Sequence, residues 1–274
     1  MILDCAGKSL DLSSPCVMGV LNVTPDSFSD GGKFTGVDAA IEHALRMREE
    51  GAAIIDIGGE SSRPGATAIS VQQELDRIMP VLEAITGQVN VPVSIDTSKP
   101  EVMQAAAQAG ASIINDINAL CADGAVEVVA ASGLPVCLMH MQGAPRCMQE
   151  NPQYNDVVAD IREFLAQRLS VCKSAGIPES KIIVDPGIGF GKTLAHNLTI
   201  LRHLESFAAL GVPLLIGVSR KSMFGELLNR DGEDRLPASL AAALMSIIKG
   251  AAIVRAHDVA ATVDVIRVYQ ALSE

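Results

Sequence analysis

Residues 181–189 read "KIIVDPGIG". Three β-branched residues lead to a lone carboxylate, and a Pro-Gly break follows it. The apolar part is continuous rather than alternating, which suits a parallel strand buried on both faces. Upstream and downstream the same unit recurs as "CVMGVLNV", "AAIIDIGGE", "PVSIDT", "SIINDIN", "PVCLMHM", "PLLIGVS" and "AAIVRAH", eight runs in all. Segments of helical period lie between them: Val71, Leu75, Ile78, Leu82 and Ile85 fall at spacings of three and four, as do Leu236, Leu240, Leu244, Ile247 and Ile248. Gly51, Gly110, Gly133, Gly176, Gly211 and Gly250 each stand between a helical segment and the next run, where helices often end in a left-handed residue. Eight such units predict an α/β fold, a (β/α)8 TIM barrel; an open doubly wound sheet is the architectural alternative. No linker, charge block or low-complexity stretch divides the chain. Residues 15–274 are therefore expected to form one barrel domain, with residues 1–14 as a short lid over its bottom.

The chain has 274 residues, 49% of them hydrophobic, and a formal net charge of −11. A large core is within reach of such a composition. No Lys/Arg cluster offers a basic face, so no nucleic-acid partner is expected. No apolar run reaches the length of a membrane span, and "MILDCAGKSLDL" lacks the pattern of a secretory signal. Six Cys are scattered without a C-x-x-C pair. They read as reduced, buried thiols of a cytoplasmic protein. An acidic chain still binds a small anion where positive charge is local.

Barrel enzymes carry their chemistry at the C-terminal ends of the strands. Those ends hold Asn22, Glu60 to Arg63, Asp96, Asn115, His140, Asp185, Ser219 to Ser222, and Arg255 with His257. Taken singly, any one of them reads better as a cap or a loop-satisfying polar group; Asp96, ahead of "TSKP", has the position of a helix cap. Asp185 resists that reading, because an unpartnered buried carboxylate is costly. Together the groups suggest one pocket. Asp and Asn side chains can read the ring N–H and amino groups of a small planar ligand. Arg63, Lys221, Arg255 and His257 can take an anion, and Asn22 offers the oxygen that Mg²⁺ prefers. His140 reads as structural.

Other signals fail. "GIGFGKT" lacks the first Gly of a phosphate loop, since Pro186 stands there, and "GIGFGK" has Lys192 in place of the third Gly of a dinucleotide fingerprint. No His or Cys spacing fits zinc, and no nucleophile elbow is present.

Residues 21–32, "LNVTPDSFSDGG", set an isolated Phe28 among small polar residues after the first barrel strand. With "AAIIDIGGESSRPGA" they resemble the two signature segments of the dihydropteroate synthase family. "SIDTSKP", "IINDIN", "DPGIGFGK", "GVSRKSM" and "RAHDV" match that family in the same order, so the resemblance spans nearly the whole chain. One departure is Ser62, where the family usually has Thr; the hydroxyl is kept and a methyl contact is lost. The resemblance implies condensation of 6-hydroxymethyl-7,8-dihydropterin diphosphate with p-aminobenzoate to give 7,8-dihydropteroate, with Mg²⁺, in a homodimeric sulfonamide target. It implies that Asp96, Asn115, Asp185 and Lys221 hold the pterin, and that Asn22 binds Mg²⁺. Arg255 and His257 would bind the diphosphate with Arg63 assisting. Ser62, Phe28, Pro64 and Phe190 would line the p-aminobenzoate subsite, and Ser222 at a helix start would take its carboxylate. Asp30 is a candidate for stabilising a pterin cation, with a turn residue as its alternative reading. The loop 24–36 would close over the diphosphate. The rival readings are a methyltetrahydrofolate methyltransferase on a similar barrel, an aldolase using Lys221 as a Schiff base, and a non-catalytic pterin binder.

Overall fold

A computed structural model describes residues 1–24, 33–230 and 235–273. Two short antiparallel strands, β1 (Ile2–Cys5) and β2 (Lys8–Asp11), come first. Eight parallel strands then close into a barrel: β3 (Cys16–Asn22), β4 (Ile54–Gly58), β5 (Val93–Asp96), β6 (Ile113–Asp116), β7 (Val136–Met139), β8 (Ile182–Asp185), β9 (Leu214–Gly217) and β10 (Ala251–Ala256), with β10 pairing back onto β3. Each falls within one of the eight apolar runs. Helices α1 (Lys33–Glu49), α2 (Val71–Thr86), α3 (Pro100–Gln108), α4 (Ala125–Ser132), α5 (Val157–Ser174), α6 (Leu194–Arg202), the short α7 (Glu205–Ala208), α8 (Ser222–Leu228), α9 (Leu236–Ile248) and α10 (Val259–Ser273) surround it. The closed barrel rules out the open-sheet alternative. The six inter-element glycines all take positive φ, as at Gly110 (97°), where the chain leaves α3 for β6.

The barrel interior changes character in one step. Its lower layer, Met18, Ile54, Ile113, Cys137, Ile183, Leu215 and Ile253, is wholly buried and packs with Leu3, Cys5, Leu10 and Leu12 of the N-terminal hairpin. Lys8 of that hairpin also donates to the carbonyls of Val89 and Val91, just before β5. Side chains alternate along a strand, so the next inward position lies two residues on. There the layer becomes Asp56, Asn115, Asp185 and Arg255, beside Val20, Met139 and Gly217. One further step brings Asn22 and Asp96, whose register partner on β4 is Gly58. A sealed apolar floor thus carries a charged upper chamber.

Two elements depart from the sequence reading. The barrel-facing residues of α9 are Ser239, Ala243, Ser246 and Ile247, while Ile248 and Met245 face outward at 56% and 52% exposure. The Leu/Ile stripe is therefore shared between the core and the surface. Of the cysteines, Cys5, Cys137 and Cys172 are buried, but Cys121 and Cys147 are exposed; all six are free.

Candidate active site

Asp56 lies at the centre of the upper chamber, fully buried in mid-strand β4. Its Oδ2 accepts from Arg255 Nε at 2.7 Å and from Asn115 Nδ2 at 3.1 Å. Arg255 reaches on through its terminal nitrogen to Asp96 Oδ2 at 2.8 Å. Two of the expected site residues, Asn115 and Arg255, are thereby joined through one carboxylate that strand-end reasoning missed, and Arg255 links Asp96 to them. Asp96 does not cap α3; Lys99 occupies the N-cap position without a side-chain bond. Burial and the neighbouring carboxylates raise the Asp96 pKa, while Arg255 opposes the rise. Asp56 Oδ1 is buried with no partner among the described residues.

Asn22 stands beside this group. A Cβ built on Gly58 would lie 3.7 Å from both Asn22 Oδ1 and Asp96 Oδ2. The absence of a side chain at Gly58 leaves room between the amide and the carboxylate. Among the described residues no cluster of three His, Cys, Asp or Glu is placed to hold a metal by protein ligands alone.

Across the chamber, Asp185 ends β8 and accepts from the Gly187 N–H at 2.7 Å. That turn is packed to contact: a Cβ at Gly187 would fall 2.0 Å from the His140 carbonyl oxygen, and its φ is +70°, so glycine is required on both counts. Burial raises the Asp185 pKa, opposed by its Gly187 bond and by Lys221 and Lys192. Lys221 lies 4.4 Å above the Phe190 ring centroid. Burial pushes its ammonium down to about 8, with Asp185 and Asp96 pulling the other way. Lys192, also missed, donates to Phe190 O at 2.9 Å and lies 3.0 Å from His140 Nδ1. Burial lowers the Lys192 pKa to about 7, opposed by Asp185; in its ammonium form Lys192 only donates, and Nδ1 then accepts. His140 packs edge-on to Phe164.

The remaining cationic residues sit higher. His257 is half-buried and contacts Ser219; burial lowers its pKa to about 4, and the charges of Arg255, Arg220 and Arg63 add to this. Arg63 itself is exposed, as are Pro64 and Ser222, and Ser62 is half-exposed. Ser222 begins α8, the position expected of it. Glu60 turns away from the chamber. It pairs with Lys99, which also pairs with the buried Glu74 of α2, and it accepts from the Ile69 N–H. This cluster anchors the 61–70 loop from below. Phe28 and Asp30 lie outside the described residues, as does most of the loop 24–36.

What the geometry offers is a cluster of acceptors and donors at the C-terminal ends of the strands, with Asp56, Asn115 and Asp185 buried and Asp96, Lys221 and Arg255 partly so. Such a site suits a planar heterocycle bearing an anionic tail. The model of the family described as "Pterin binding enzyme" matches residues 18–257. The dihydropteroate synthase of Escherichia coli K12 is 52% identical over 271 residues, 99% of this chain and 96% of that protein. The solved dihydropteroate synthase of Xanthomonas albilineans with 4-aminobenzoic acid is 51% identical, with a TM-score of 0.95, covering 99% of this chain and 98% of that one. A second structure from the same organism, in complex with 7,8-dihydropteroate, is 48% identical with a TM-score of 0.91, covering 100% and 99%. With a closed barrel and a match across nearly its whole length, the chain belongs to the pterin-binding enzyme family, among its dihydropteroate synthases, which are transferases.

Proposed function

We propose that the upper chamber condenses 6-hydroxymethyl-7,8-dihydropterin diphosphate with p-aminobenzoate, releasing diphosphate and forming 7,8-dihydropteroate. The observation that carries this reading is the set of buried Asn115 and Asp185 and partly buried Asp96, accompanied by Lys221 and Arg255. Carboxylates accept from the ring N–H and amino groups of a pterin, and an amide and a lysine serve its acceptor atoms. The presence of 4-aminobenzoic acid and 7,8-dihydropteroate in the two related structures supports the substrate and product classes.

In this reading the carbon–oxygen bond to diphosphate breaks first, and the electron pair leaves with the diphosphate. The pterin ring delocalises the resulting cation. The arylamine nitrogen then attacks the exocyclic carbon and afterwards loses a proton to water. No strong base is required, because the attacking amine is unprotonated at neutral pH. The protein's task is to stabilise the leaving anion, exclude water and align the amine. Arg63 and His257 serve the anion; Phe190 and the 61–70 loop face the amine, with Ser222 and its neighbouring N–H groups at the carboxylate. The resident Arg255–Asp56–Asp96 network holds the pterin floor, and Arg255 contributes positive charge to the diphosphate side. The donor set fits Mg²⁺ in the manner usual for phosphate substrates: Asn22 as one oxygen ligand, the rest from diphosphate and water, where the ion would neutralise the leaving charge.

Self-association fits the exposed apolar residues Met245 and Ile248 on α9 and Val268 and Leu272 on the adjacent α10. A homodimer through this face is our reading. Among the described residues no helix is long and apolar enough to cross a membrane, which is compatible with a cytoplasmic location. Sulfonamides, as mimics of p-aminobenzoate, should compete with it. Pyrophosphate release from the pterin diphosphate, measured with and without p-aminobenzoate, tests the function. Release coupled to dihydropteroate is expected. Methyl transfer from a methylated folate without such release would establish the methyltransferase reading instead.

A further inference from the structure

Ser219 follows β9 and touches His257 twice. Its Oγ accepts from the His257 backbone N–H at 3.2 Å and lies 3.1 Å from the ring Nδ1. The position of Ser219 is fixed by its neighbour. Arg220 holds a left-handed φ of 56°, uncommon outside glycine. Its N–H donates to Ser239 Oγ at 2.9 Å, and its guanidinium grips both oxygens of Asp258 at 3.0 and 2.5 Å. The turn that carries Ser219 is thus tied to α9 on one side and to the residue after His257 on the other.

A serine hydroxyl has one proton and two lone pairs. One lone pair of Ser219 is taken by the backbone N–H of His257. Among the described residues, Nδ1 of the same histidine is the acceptor within reach of the hydroxyl proton. We propose that Ser219 is a positioning residue that fixes the tautomer of His257: its hydroxyl donates to Nδ1, so the ring proton resides on Nε2 and that edge is a fixed hydrogen-bond donor at the cationic mouth of the chamber. This rests on the reading of His257 as an anion-binding residue.

The assignment gives His257 a role distinct from that of the arginines around it. A neutral imidazole has one donor and one acceptor, and an acceptor turned toward a diphosphate oxygen would repel it. A histidine free to exchange tautomers would spend part of its time in that unfavourable form. Ser219 removes the unfavourable form without adding charge to a region already crowded by Arg63, Arg220 and Arg255. The low pKa of His257, caused by burial and those three cations, keeps the ring in the neutral form in which tautomers matter. A merely structural Ser219, bonded only to the backbone N–H, would leave the ring indifferent to its removal.

The test is nitrogen-15 NMR of the full chain labelled at its five histidines, with the His257 signals assigned from their loss in His257→Gln. At neutral pH the wild type should show an unprotonated Nδ1 and a protonated Nε2. Ser219→Ala should give a tautomer mixture with unchanged circular dichroism, and Ser219→Thr, which keeps the hydroxyl, should restore the wild-type pattern. Calorimetry with pyrophosphate and Mg²⁺ should show affinity about threefold to tenfold weaker in Ser219→Ala, the loss of one hydrogen bond. A proton on Nδ1 in the wild type, or an unaltered tautomer in Ser219→Ala, overturns the proposal. If Ser219→Ala shifts the tautomer while His257→Ala binds pyrophosphate normally, the tautomer assignment stands and the anion-binding reading of His257 fails.

Discussion

The Asp56 carboxylate and the Arg255 guanidinium, 199 residues apart in sequence, meet at 2.7 Å inside the barrel. Asp56 is fully buried and the Arg255 side chain is 22% exposed. Removing one member of a buried pair leaves an uncompensated charge, at about 3–5 kcal/mol. Here Asp96 remains as a second partner for Arg255. Asp56→Asn should therefore cost about 3 kcal/mol, at the lower end, by urea denaturation, and Asp56→Asn/Arg255→Met should be less destabilised than the two single losses added. A loss below about 1 kcal/mol would mean that Asp96 alone satisfies Arg255.

The strand ends were legible because Asp and Asn within β-branched runs are expensive to bury, so Asn115 and Asp185 stood out. Asp56 did not. Its run is apolar on both faces, and without alternation the sequence gives no sign of which residues point into the barrel. Register supplies that sign: Asp56 lies two residues beyond Ile54, in the layer above the apolar floor. Lys99 and Glu74 were illegible for another reason. Each reads as an ordinary polar residue of a helix start, and only the closure of β4 beside β5 brings them together. On α9 the periodicity marked a helix, but it could not show that small residues take the barrel side and leave Met245 and Ile248 outside.

Lys99 should behave as the anchor of the 61–70 loop. It pairs with Glu60 at the loop's start and with Glu74, whose side chain is 1% exposed. Lys99→Met would leave two carboxylates facing each other, and a stability loss of at least about 2 kcal/mol is expected, discounted from the buried-pair range because Lys99 and Glu60 are partly exposed. The KM for p-aminobenzoate should rise with it. Adding Glu74→Leu should recover part of the stability but not the KM. Unchanged KM in Lys99→Met would show that the loop holds its shape unaided.

His140 offers a pH signature of stability. Burial and the Lys192 charge lower its pKa to about 3 from the ordinary 6.5. A histidine depressed in the folded state stabilises fully above the unfolded value. As pH falls below 6.5 the unfolded chain takes up a proton that the folded one refuses, and that contribution declines until the folded ring protonates near 3. The wild type should thus lose stability relative to His140→Gln as pH is lowered from 6.5 to 4, by at most about 1.4 kcal/mol per unit. Parallel stability-versus-pH curves for the two proteins would show that His140 titrates normally.

Lys221 should bind pterin as a cation. Burial lowers its pKa to about 8, so the ammonium is lost as pH rises through that value. Pterin affinity should decline above about pH 8, and Lys221→Arg should not rescue binding, because a planar fork does not replace a compact ammonium over Phe190. Borohydride trapping of a carbonyl substrate on Lys221 would instead support the aldolase reading.

The last expectation concerns the order in which the two substrates bind. Residues 61–70 are largely exposed, with Ser61, Arg63, Pro64, Gly65, Thr67 and Ala68 open to solvent. Among the described residues the loop is held near its ends, by Ile69 N–H to Glu60 Oε1 at 3.2 Å and by the Ser70–Gln73 capping box of α2, and between them by Gly65 N–H to Pro145 O at 3.1 Å. The chamber beneath is by contrast buried and cross-linked by Asp56, Asn115, Asp96 and Arg255. On the proposed function the pterin half of the site is preformed, while the p-aminobenzoate half depends on a loop anchored at its two ends, at Glu60 and Ser70, and open to solvent between them. A pterin with pyrophosphate and Mg²⁺ would add partners for Arg63 and His257 and draw that loop inward, as in substrate-induced closure. p-Aminobenzoate should therefore bind the free protein weakly or undetectably. Pterin, pyrophosphate and Mg²⁺ together should tighten it at least about tenfold, or roughly 1.4 kcal/mol of coupling. By linkage p-aminobenzoate should tighten pyrophosphate by the same factor, so two independent titrations must agree. Equal p-aminobenzoate affinity with and without those ligands would mean that the second subsite is built in advance and that the exposed loop contributes nothing to it.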